Sequence, residues 1–430
     1  MSKKLTYLIA LIMSALLLAA CGGTPTDDTG DTGDTGDTGE DTATEGGDDA
    51  ASGCEEGSYN IAYQGPLSGD YAALGENMVN GIQLAIDQAA EGTLELPGGG
   101  QLPEGVELSI ERFDSQGLPD QAPALANDAA ANEQILALVG PAFSGETSAS
   151  GPIYDQAGLP MLSPSATNPD LTQQGWTHFS RVVATDAAQG PVVARFIAEN
   201  LGAERVAVLD DSSDYGKGLA DLVESSLEEM DVEIVARQGV EQGQQDYSAA
   251  VGRVTQANAD AVFFGGYFSE AGLIRSQLAD QGAGDVAFIS DDGAFDDEFI
   301  QVAGDAAEGS YASYPGANPN EAPEEFTSAY DEISGGQSPG AFTIEAYQAT
   351  QIIIDAIATV GCDRAAINDH IRNFDGEVFG GRSVSFDENG DIAGQAFNVF
   401  VVENGEWTLE AEIEAPEELM EDGGAEEETS

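Results

Sequence analysis

Between residues 59 and 314, short apolar segments alternate with segments of helical spacing. Residues 59–63, 135–139 and 205–209 are typical of strands, and each precedes a polar loop and a predicted helix. Such alternation predicts an α/β fold in which parallel sheets are covered by helices on both faces. The folded part, about 355 residues, is long enough for two domains. Right-handed crossovers place the loops that follow the strands at one edge of each sheet.

Those loops carry most of the polar side chains that could bind a small molecule. Ligands of open α/β sheets bind at the carboxyl ends of the strands. If two domains face each other through these edges, their loops line a shared cleft. Six loops present hydroxyls, phenols, glycines or a carboxylate: 65–70, 140–146, 163–169, 210–216, 265–270 and 290–294.

The loop at 163–169 is the densest of these in hydroxyl groups. A predicted strand at 159–162 leads into Ser163, Ser165 and Thr167, and Pro164 and Pro169 stiffen the turn. A rigid rim of hydroxyls and amides suits a small polar molecule. On its own, the segment is equally compatible with a Ser/Thr-rich turn that binds nothing.

The N-terminus reads as a targeting signal followed by a tether. Lys3 and Lys4 precede an apolar run at 5–18 that is too short to span a bilayer, and Leu-Ala-Ala-Cys at 18–21 has the form of a bacterial lipobox. We therefore predict a signal peptide at 1–20 and lipidation of Cys21, whose two acyl chains anchor the protein stably. The alternative is an ordinary secretory signal with an incidental cysteine.

Both ends of the mature chain are acidic and poor in apolar residues. Asp-Thr-Gly repeats begin at Asp28, and no apolar residue larger than alanine occurs between residues 22 and 53. Such a segment cannot offset the entropy cost of folding, so 21–57 is predicted to be a disordered tether and 413–430 an acidic tail. A calcium-binding nonapeptide array is the less favoured reading, because its period is absent.

The charge balance excludes several classes of partner. Asp and Glu number 78 against 13 Lys and Arg, a formal net charge of −65. A surface of that sign argues against nucleic acid and against docking on an anionic membrane. Much of the acid lies on predicted helix faces, including Asp221, Glu224, Glu228 and Glu229.

We predict that this acidic, halophilic surface needs salt for full stability. Like charges repel one another unless counter-ions screen them, so the melting temperature should rise between low and molar salt. Thermal melts in sodium chloride measure this directly. Equal melting temperatures at both salt concentrations would refute a saline habitat.

Cysteine and histidine usage favours an exported protein without a metal centre. Cys54 and Cys362 are left after Cys21 is assigned to lipid, and in an oxidising compartment they predict one disulfide, with two free buried thiols as the alternative. His178 and His370 stand apart from any ligand cluster. There is no nucleophile–base pair and no phosphate loop. The sequence therefore predicts no catalytic residue, no metal and no cofactor.

At specific stretches the chain resembles type I periplasmic binding proteins of the branched-chain amino-acid group. The stretches are LSPSATNPDLT at 162–172, DYGKGLA at 214–220, GGY at 265–267 and AGDAAEG at 303–309. The resemblance implies two Rossmann-like lobes with parallel sheets, joined by three crossovers that act as a hinge. It places lobe 1 at 58–184 plus 314–384 and lobe 2 at 185–313 plus 385–412.

The resemblance also implies a ligand site. Ser144 at a helix start, with Ser165 and Thr167, would hold the α-carboxylate and part of the α-ammonium of an amino acid. Tyr215 and Tyr267 would close over the ligand, and Asp292 would pair with the ammonium. The alternatives are a helix cap for Ser144, packing for the tyrosines and a surface acid for Asp292.

Two departures from the family pattern bear on the choice of ligand. Leu74 stands where leucine binders carry an aromatic residue against the ligand side chain. Asp292 is one methylene shorter than the usual glutamate. Both leave open another amino acid or a small amide as ligand.

Together these features predict a monomeric, membrane-anchored solute-binding protein outside the cytoplasm. It would capture an aliphatic amino acid and deliver it to the permease of an ABC transporter. Alternatives are a ligand-presenting sensor for a membrane receptor, and an enzyme on the same fold, for which the sequence offers no catalytic group.

Overall fold

The computed structural model describes residues 53–392 and 396–414. The signal peptide, Cys21, nearly all of the tether and the tail after Glu414 lie outside the described residues. Within the described part, no helix combines the length and the apolar character needed to cross a bilayer.

The first sheet has five strands, all parallel, in the order β2-β1-β3-β4-β5. Its central strands are buried; Ile61 of β1, for example, lies opposite Ile110 of β2 and Ala137 of β3. The strand β5 has only three residues and was not predicted. The strands are β1 (Gly57–Gly65), β2 (Val106–Asp114), β3 (Ile135–Val139), β4 (Met161–Ser163) and β5 (Phe179–Arg181).

The second sheet has seven strands in the order β14-β13-β10-β9-β8-β6-β7. The expectation of parallel sheets is wrong for one edge, because β13 pairs antiparallel with both β10 and β14. The last strand also continues to Glu414, past the residue where a tail was expected to begin. The strands are β6 (Arg205–Asp210), β7 (Glu233–Gly239), β8 (Ala261–Gly265), β9 (Ala287–Ser290), β10 (Tyr311–Tyr314), β13 (Ala396–Glu403) and β14 (Glu406–Glu414).

A small antiparallel pair completes the strands: β11 (Asp375–Val378) with β12 (Arg382–Ser385). After β12 the chain passes the first sheet, where the Arg181 amide donates to the Gly390 carbonyl over 3.0 Å. Residues near 390 therefore contact the first sheet before the chain enters β13 of the second.

Eleven α-helices are found among the described residues, and their apolar faces cover the sheets. The α1 and α10 helices pack against each other, as do α4 and α5. The α4 helix is continued by a π-helical turn at Phe196–Asn200. The helices are α1 (Ala72–Glu91), α2 (Ala122–Ala131), α3 (Ser144–Ala157), α4 (Asp186–Arg195), α5 (Asp214–Glu229), α6 (Ser248–Ala257), α7 (Phe268–Asp280), α8 (Asp297–Ala303), α9 (Glu324–Ser334), α10 (Thr343–Val360) and α11 (Arg364–Arg372).

A disulfide joins Cys54 to Cys362, residues 308 positions apart in the sequence. It links the segment before β1 to the end of α10. The sequence left open one disulfide or two free thiols, and the structure contains the disulfide.

The acidic face of α5 is partly neutralised by a few basic residues. Arg237 of β7 forms ion pairs with Asp210, Asp221 and Glu224, and Lys217 pairs with Asp221. Glu228 and Glu229 are exposed. The Lys217–Asp221 pair is exposed and contributes roughly 0–1 kcal/mol, whereas Asp210 is buried beneath Arg237.

Candidate functional site

A small, nearly closed cavity, with a volume of about 10 Å³, lies between the loop edges of the two sheets. Five of the six predicted loops contribute to it. The loop at 65–70 does not, because Leu67 and Ser68 bind the Asp114 carboxylate over 2.9 and 2.5 Å. The cavity is lined by Leu74, Ala142, Phe143, Ser144, Ser165, Tyr215, Tyr267, Asp292, Gly293 and Phe342.

Ser144 begins α3 at the wall supplied by the first sheet. The residue before it, Phe143, is extended and is the N-cap; its amide donates to the Glu146 carboxylate over 2.8 Å. Ser144 is therefore the first helical residue and not the cap. Its hydroxyl lies beside the free amides of the first turn, where a helix favours negative charge, and accepts from the Asn168 amide over 3.3 Å.

The hydroxyl-rich loop after β4 is bonded to the loop after β3. Ser163 Oγ donates to the Pro141 carbonyl over 2.8 Å and accepts from the Ala166 amide over 3.0 Å. Ser165 Oγ donates to the Ala142 carbonyl over 2.8 Å. These bonds fix the position of Ser165 on the cavity wall, where it is 8% exposed.

Arg181 stabilises the same loop, and no sequence pattern indicates this role. The guanidinium is fully buried and donates to the carbonyls of Ala166 and Asn168 over 2.9 and 2.8 Å. Its Nε binds Asp391 over 2.5 Å and its second terminal nitrogen binds Thr172 over 3.1 Å. One side chain therefore satisfies both loop carbonyls and connects them to the chain near residue 390.

Thr167 does not line the cavity, although it was predicted to contact the ligand. Its side chain is fully buried, and its hydroxyl has no hydrogen-bond partner among the described residues. The Thr167 carbonyl accepts from the amide of Asp186, the first residue of α4, over 3.0 Å.

Tyr215 and Tyr267 lie side by side on the wall supplied by the second sheet, with ring centroids 5.3 Å apart. Glycines make this possible. A Cβ on Gly265 would lie 2.3 Å from the Gly216 carbonyl oxygen, so the start of α5 crosses the end of β8 only because neither residue has a side chain. The Tyr215 hydroxyl accepts from the Gly293 amide over 3.2 Å.

Asp292 faces the cavity from the turn after β9 and is 2% exposed. Gln189 of α4 donates to its Oδ1 over 2.7 Å and to Ser313 over 2.9 Å. Burial raises the pKa of Asp292 to about 6, against the hydrogen bonds from Gln189 and Tyr215 that lower it. Burial and the neighbouring Asp292 raise the pKa of Asp291 well above its usual value.

The remaining walls are apolar, and two of their residues were not predicted. Leu74 comes from α1, Phe143 stacks on Tyr267 with centroids 4.3 Å apart, and Phe342 precedes α10. Phe342 has φ +61°, a conformation that costs a residue with a side chain roughly 1–2 kcal/mol. Its amide donates to the Tyr314 hydroxyl over 2.7 Å, which holds it there.

Three further hydrogen bonds join elements of the two sheets around the cavity. The Tyr71 hydroxyl lies 3.3 Å from the Glu270 carboxylate, the Asn77 side chain donates to Asp296 over 3.3 Å, and the Asn168 side chain donates to the Asp214 carbonyl over 2.8 Å. They bring the loop edges of the sheets into direct contact.

Among the described residues, no three His, Cys, Asp or Glu side chains are grouped so that they could hold a metal ion. His178 pairs with Asp155 over 2.9 Å and His370 with Asp355 over 3.0 Å, both away from the cavity lining. The site offers hydroxyls and helix amides on one side, a carboxylate on the other and apolar groups between them. It is equipped to bind a small molecule with charged and apolar parts.

Known proteins are similar to this chain in sequence and in fold. A family model described as periplasmic binding protein matches residues 58–406. A leucine-, isoleucine-, valine-, threonine- and alanine-binding protein of Pseudomonas aeruginosa is 31% identical over 352 residues, 82% of this chain and 90% of the relative.

Solved structures are also similar to this chain. A leucine binding protein from Thermotoga maritima has a TM-score of 0.73 at 31% identity, covering 84% of this chain and 99% of that one. A branched-chain amino acid transporter substrate binding protein from Streptococcus pneumoniae, in complex with isoleucine, has a TM-score of 0.74 at 27% identity, covering 84% and 100%.

The fold and the cleft between its sheets define a two-sheet solute-binding protein. The chain belongs to the periplasmic binding protein family, and its solved neighbours have the type I form of the fold. This is a family of solute-binding proteins and not an enzyme family.

Proposed function

We propose that this protein is an extracytoplasmic, lipid-anchored binding protein that captures an aliphatic amino acid and delivers it to the permease of an ABC transporter. The observation that supports the proposal most is that hydroxyl groups lie on one side of the cavity and a carboxylate lies on the other. Ser144 and Ser165 lie on the side of the first sheet, and Asp292 lies across from them on the second.

This division fits the head group of an amino acid. The α-carboxylate can accept from the Ser144 hydroxyl and from the free amides that begin α3. The α-ammonium needs a charged partner when it is buried, because an unpaired charge in such a site costs several kcal/mol. Asp292 supplies that partner, and Tyr215 and Tyr267 cover the ligand.

The rest of the cavity favours an aliphatic ligand side chain. Leu74, Phe143 and Phe342 present only apolar atoms, so a charged ligand side chain would lose its hydration without gaining a partner. The side chains of leucine, isoleucine and valine are apolar and are compatible with this wall. Phe143 and Phe342 supply aromatic contacts even though Leu74 occupies the position where relatives are expected to have an aromatic residue.

Binding is proposed to close two lobes, made of residues 58–184 with 314–384 and of 185–313 with 385–412. A ligand that contacts Ser144 on one sheet and Asp292 on the other stabilises only the arrangement in which both are near. The contacts from Tyr71, Asn77 and Asn168 to the second sheet add to the same arrangement.

The proposed anchor is a diacylated Cys21, supported by the Leu-Ala-Ala-Cys sequence that precedes the acidic tether. The tether would let a monomeric binding domain reach a permease in the same membrane. The disulfide between Cys54 and Cys362 fits an oxidising compartment outside the cytoplasm.

We expect leucine, isoleucine or valine to raise the melting temperature of the purified protein in high salt. A ligand that binds only the folded state stabilises it by about 4 kcal/mol at a thousandfold excess over its dissociation constant. A thermal-shift screen of amino acids and small amides measures this.

The informative controls are close relatives of leucine. 4-Methylpentanoate has the same carbon chain without the ammonium, and glutamate and arginine have charged side chains; none of the three should stabilise the protein. If no aliphatic amino acid shifts the melting temperature, the ligand class is wrong.

A further inference from the structure

Tyr314 connects the second sheet to the start of α10, and the proposed function does not use it. Its backbone ends β10 and pairs with Asn398 of β13. Its side chain is buried, and its hydroxyl contacts the first residues of α10. That helix packs against α1 and against β3 and β4 of the first sheet. One residue therefore joins the second sheet to a helix that covers the first.

The Tyr314 hydroxyl fixes the backbone of Phe342, which lines the cavity. Phe342 immediately precedes α10, so its amide is one of the donors that find no partner within the helix. That amide donates to the hydroxyl over 2.7 Å, and the Phe342 carbonyl accepts from the Ala346 amide over 3.0 Å. A left-handed residue with a side chain persists only where its surroundings hold it, so both bonds matter for the wall.

Glu345 in turn fixes the tyrosine. Its carboxylate is fully buried; Oε2 accepts from the Tyr314 hydroxyl over 2.8 Å, and Oε1 accepts from the Ala317 amide over 2.7 Å. Because the hydroxyl hydrogen points to Glu345, the hydroxyl oxygen is free to accept from Phe342. Burial raises the pKa of Glu345, and the nearby Arg382 and the two hydrogen bonds oppose that rise. Both carboxylate oxygens are thus used, one of them for the hydroxyl that fixes the cavity wall.

The same carboxylate also fixes the chain that follows β10. A Cβ on Gly316 would lie 2.4 Å from Glu345 Oε1, so the chain comes this close only because residue 316 has no side chain. The Gly316 carbonyl accepts from the Asn398 side chain of β13 over 3.0 Å. Residues 314–317, where the chain passes between the proposed lobes, are therefore bonded to α10 on one side and to the second sheet on the other.

We propose that Tyr314 and Glu345 are positioning residues that hold Phe342 against the ligand's side chain, and that they set how strongly the protein prefers long aliphatic side chains to short ones. This inference rests on the proposed function and deepens it by naming what determines the choice among aliphatic ligands. The described residues that line the cavity include Phe342 but neither of these two, so both act through it.

The preference follows from what the aliphatic ligands do not share. Their head groups are identical, so they differ only in the apolar surface that they bury against Leu74, Phe143 and Phe342. Each buried carbon contributes about fourfold in affinity. If Phe342 leaves the wall, a ligand with a long side chain loses more contacts than one with a short side chain. A wall that is intact in only a tenth of the molecules lowers the apparent leucine affinity about tenfold.

The test is isothermal titration of Tyr314→Phe with leucine and, in competition with leucine, with 2-aminobutyrate, which has two side-chain carbons in place of four. The variant keeps the ring, but the Phe342 amide and one Glu345 oxygen lose their partner. We expect leucine affinity to fall by about tenfold and 2-aminobutyrate affinity by less than about threefold. The matched control is Tyr311→Phe on the same strand, where the ring packs on Phe196; both affinities should stay unchanged.

A second variant answers the question if Tyr314→Phe fails to fold. Glu345→Gln has one acceptor oxygen in place of two, so it can serve either Tyr314 or Ala317 but not both. It should also lower the ratio of leucine affinity to 2-aminobutyrate affinity. If neither variant folds, hydrogen exchange of the wild-type protein decides, because saturating leucine should slow exchange of the Phe342 amide more than saturating 2-aminobutyrate does.

The outcomes separate this inference from the proposed function. An equal loss of affinity for both ligands, no loss for either, or equal protection of the Phe342 amide overturns the positioning role and leaves the proposed function intact. Failure of the wild-type protein to bind any aliphatic amino acid overturns both.

Discussion

Asp292→Asn is expected to weaken leucine binding by roughly 30-fold to several thousandfold, the range for removing one member of a buried charge pair. The change keeps the shape of the side chain and an oxygen that can accept from Gln189. It removes only the negative charge that the α-ammonium needs. Isothermal titration of leucine at pH 7.5 measures the loss.

The same change should not lower the stability of the protein without ligand. The folded-state pKa of Asp292, about 6, lies above its usual value, so the folded protein holds this proton more tightly than the unfolded chain. The stability that the protonated carboxyl contributes is present at low pH and is lost as pH rises through 6. At pH 7.5 the neutral amide avoids that loss, and the variant should melt at the wild-type temperature or above.

Asp280→Asn is the matched control, since it removes a charge from an exposed position at the end of α7. It should leave affinity unchanged. Wild-type affinity in Asp292→Asn, with the control behaving as expected, would mean that the ammonium is held elsewhere. A large fall in melting temperature would instead mean that Asp292 is a structural group.

The loops of the site could be predicted because parallel strands impose their own geometry. Once residues 135–139, 205–209 and 261–264 are read as buried strands, the loops that follow them must meet at a sheet edge. That rule places Tyr215 and Tyr267 at one edge of the second sheet and Ser144 at the corresponding edge of the first, so a shared cleft requires only that the two edges face each other. The antiparallel β13 was not predictable in this way, because an apolar strand pattern does not indicate direction.

Residues that reach the site from outside those loops could not be predicted. Phe342 arrives from the start of α10, far along the chain from any strand of the first sheet, and its left-handed backbone has no local sequence signal. Gln189 stands near the start of α4, where an amide is commonplace, and only the packing of that helix reveals that it donates to Asp292.

Arg181 is another residue whose role could not be predicted. Its replacement by methionine should destabilise the protein by about 3–5 kcal/mol, the cost of removing one partner of a buried ion pair. Methionine fills a similar length but leaves the carbonyls of Ala166 and Asn168 and the Asp391 carboxylate without their donor. Asp391 is 20% exposed, so water can solvate it and the lower end of the range is expected. Urea denaturation at pH 7.5 measures the change.

If Arg181 positions the loop that carries Ser165, its replacement should also reduce leucine affinity, an effect that a loss of stability alone does not produce. Arg181→Lys retains a charge for Asp391 but cannot bind two carbonyls in the planar arrangement of a guanidinium. It should recover part of the stability while leucine affinity stays reduced, because the loop that carries Ser165 is no longer fixed. Arg253→Met, at an exposed position on α6, should change stability by about 0.5 kcal/mol or less. If the lysine variant bound leucine as tightly as wild type, Arg181 would be a structural residue and the hydroxyl-rich loop would hold its shape through Ser163 and the two prolines alone.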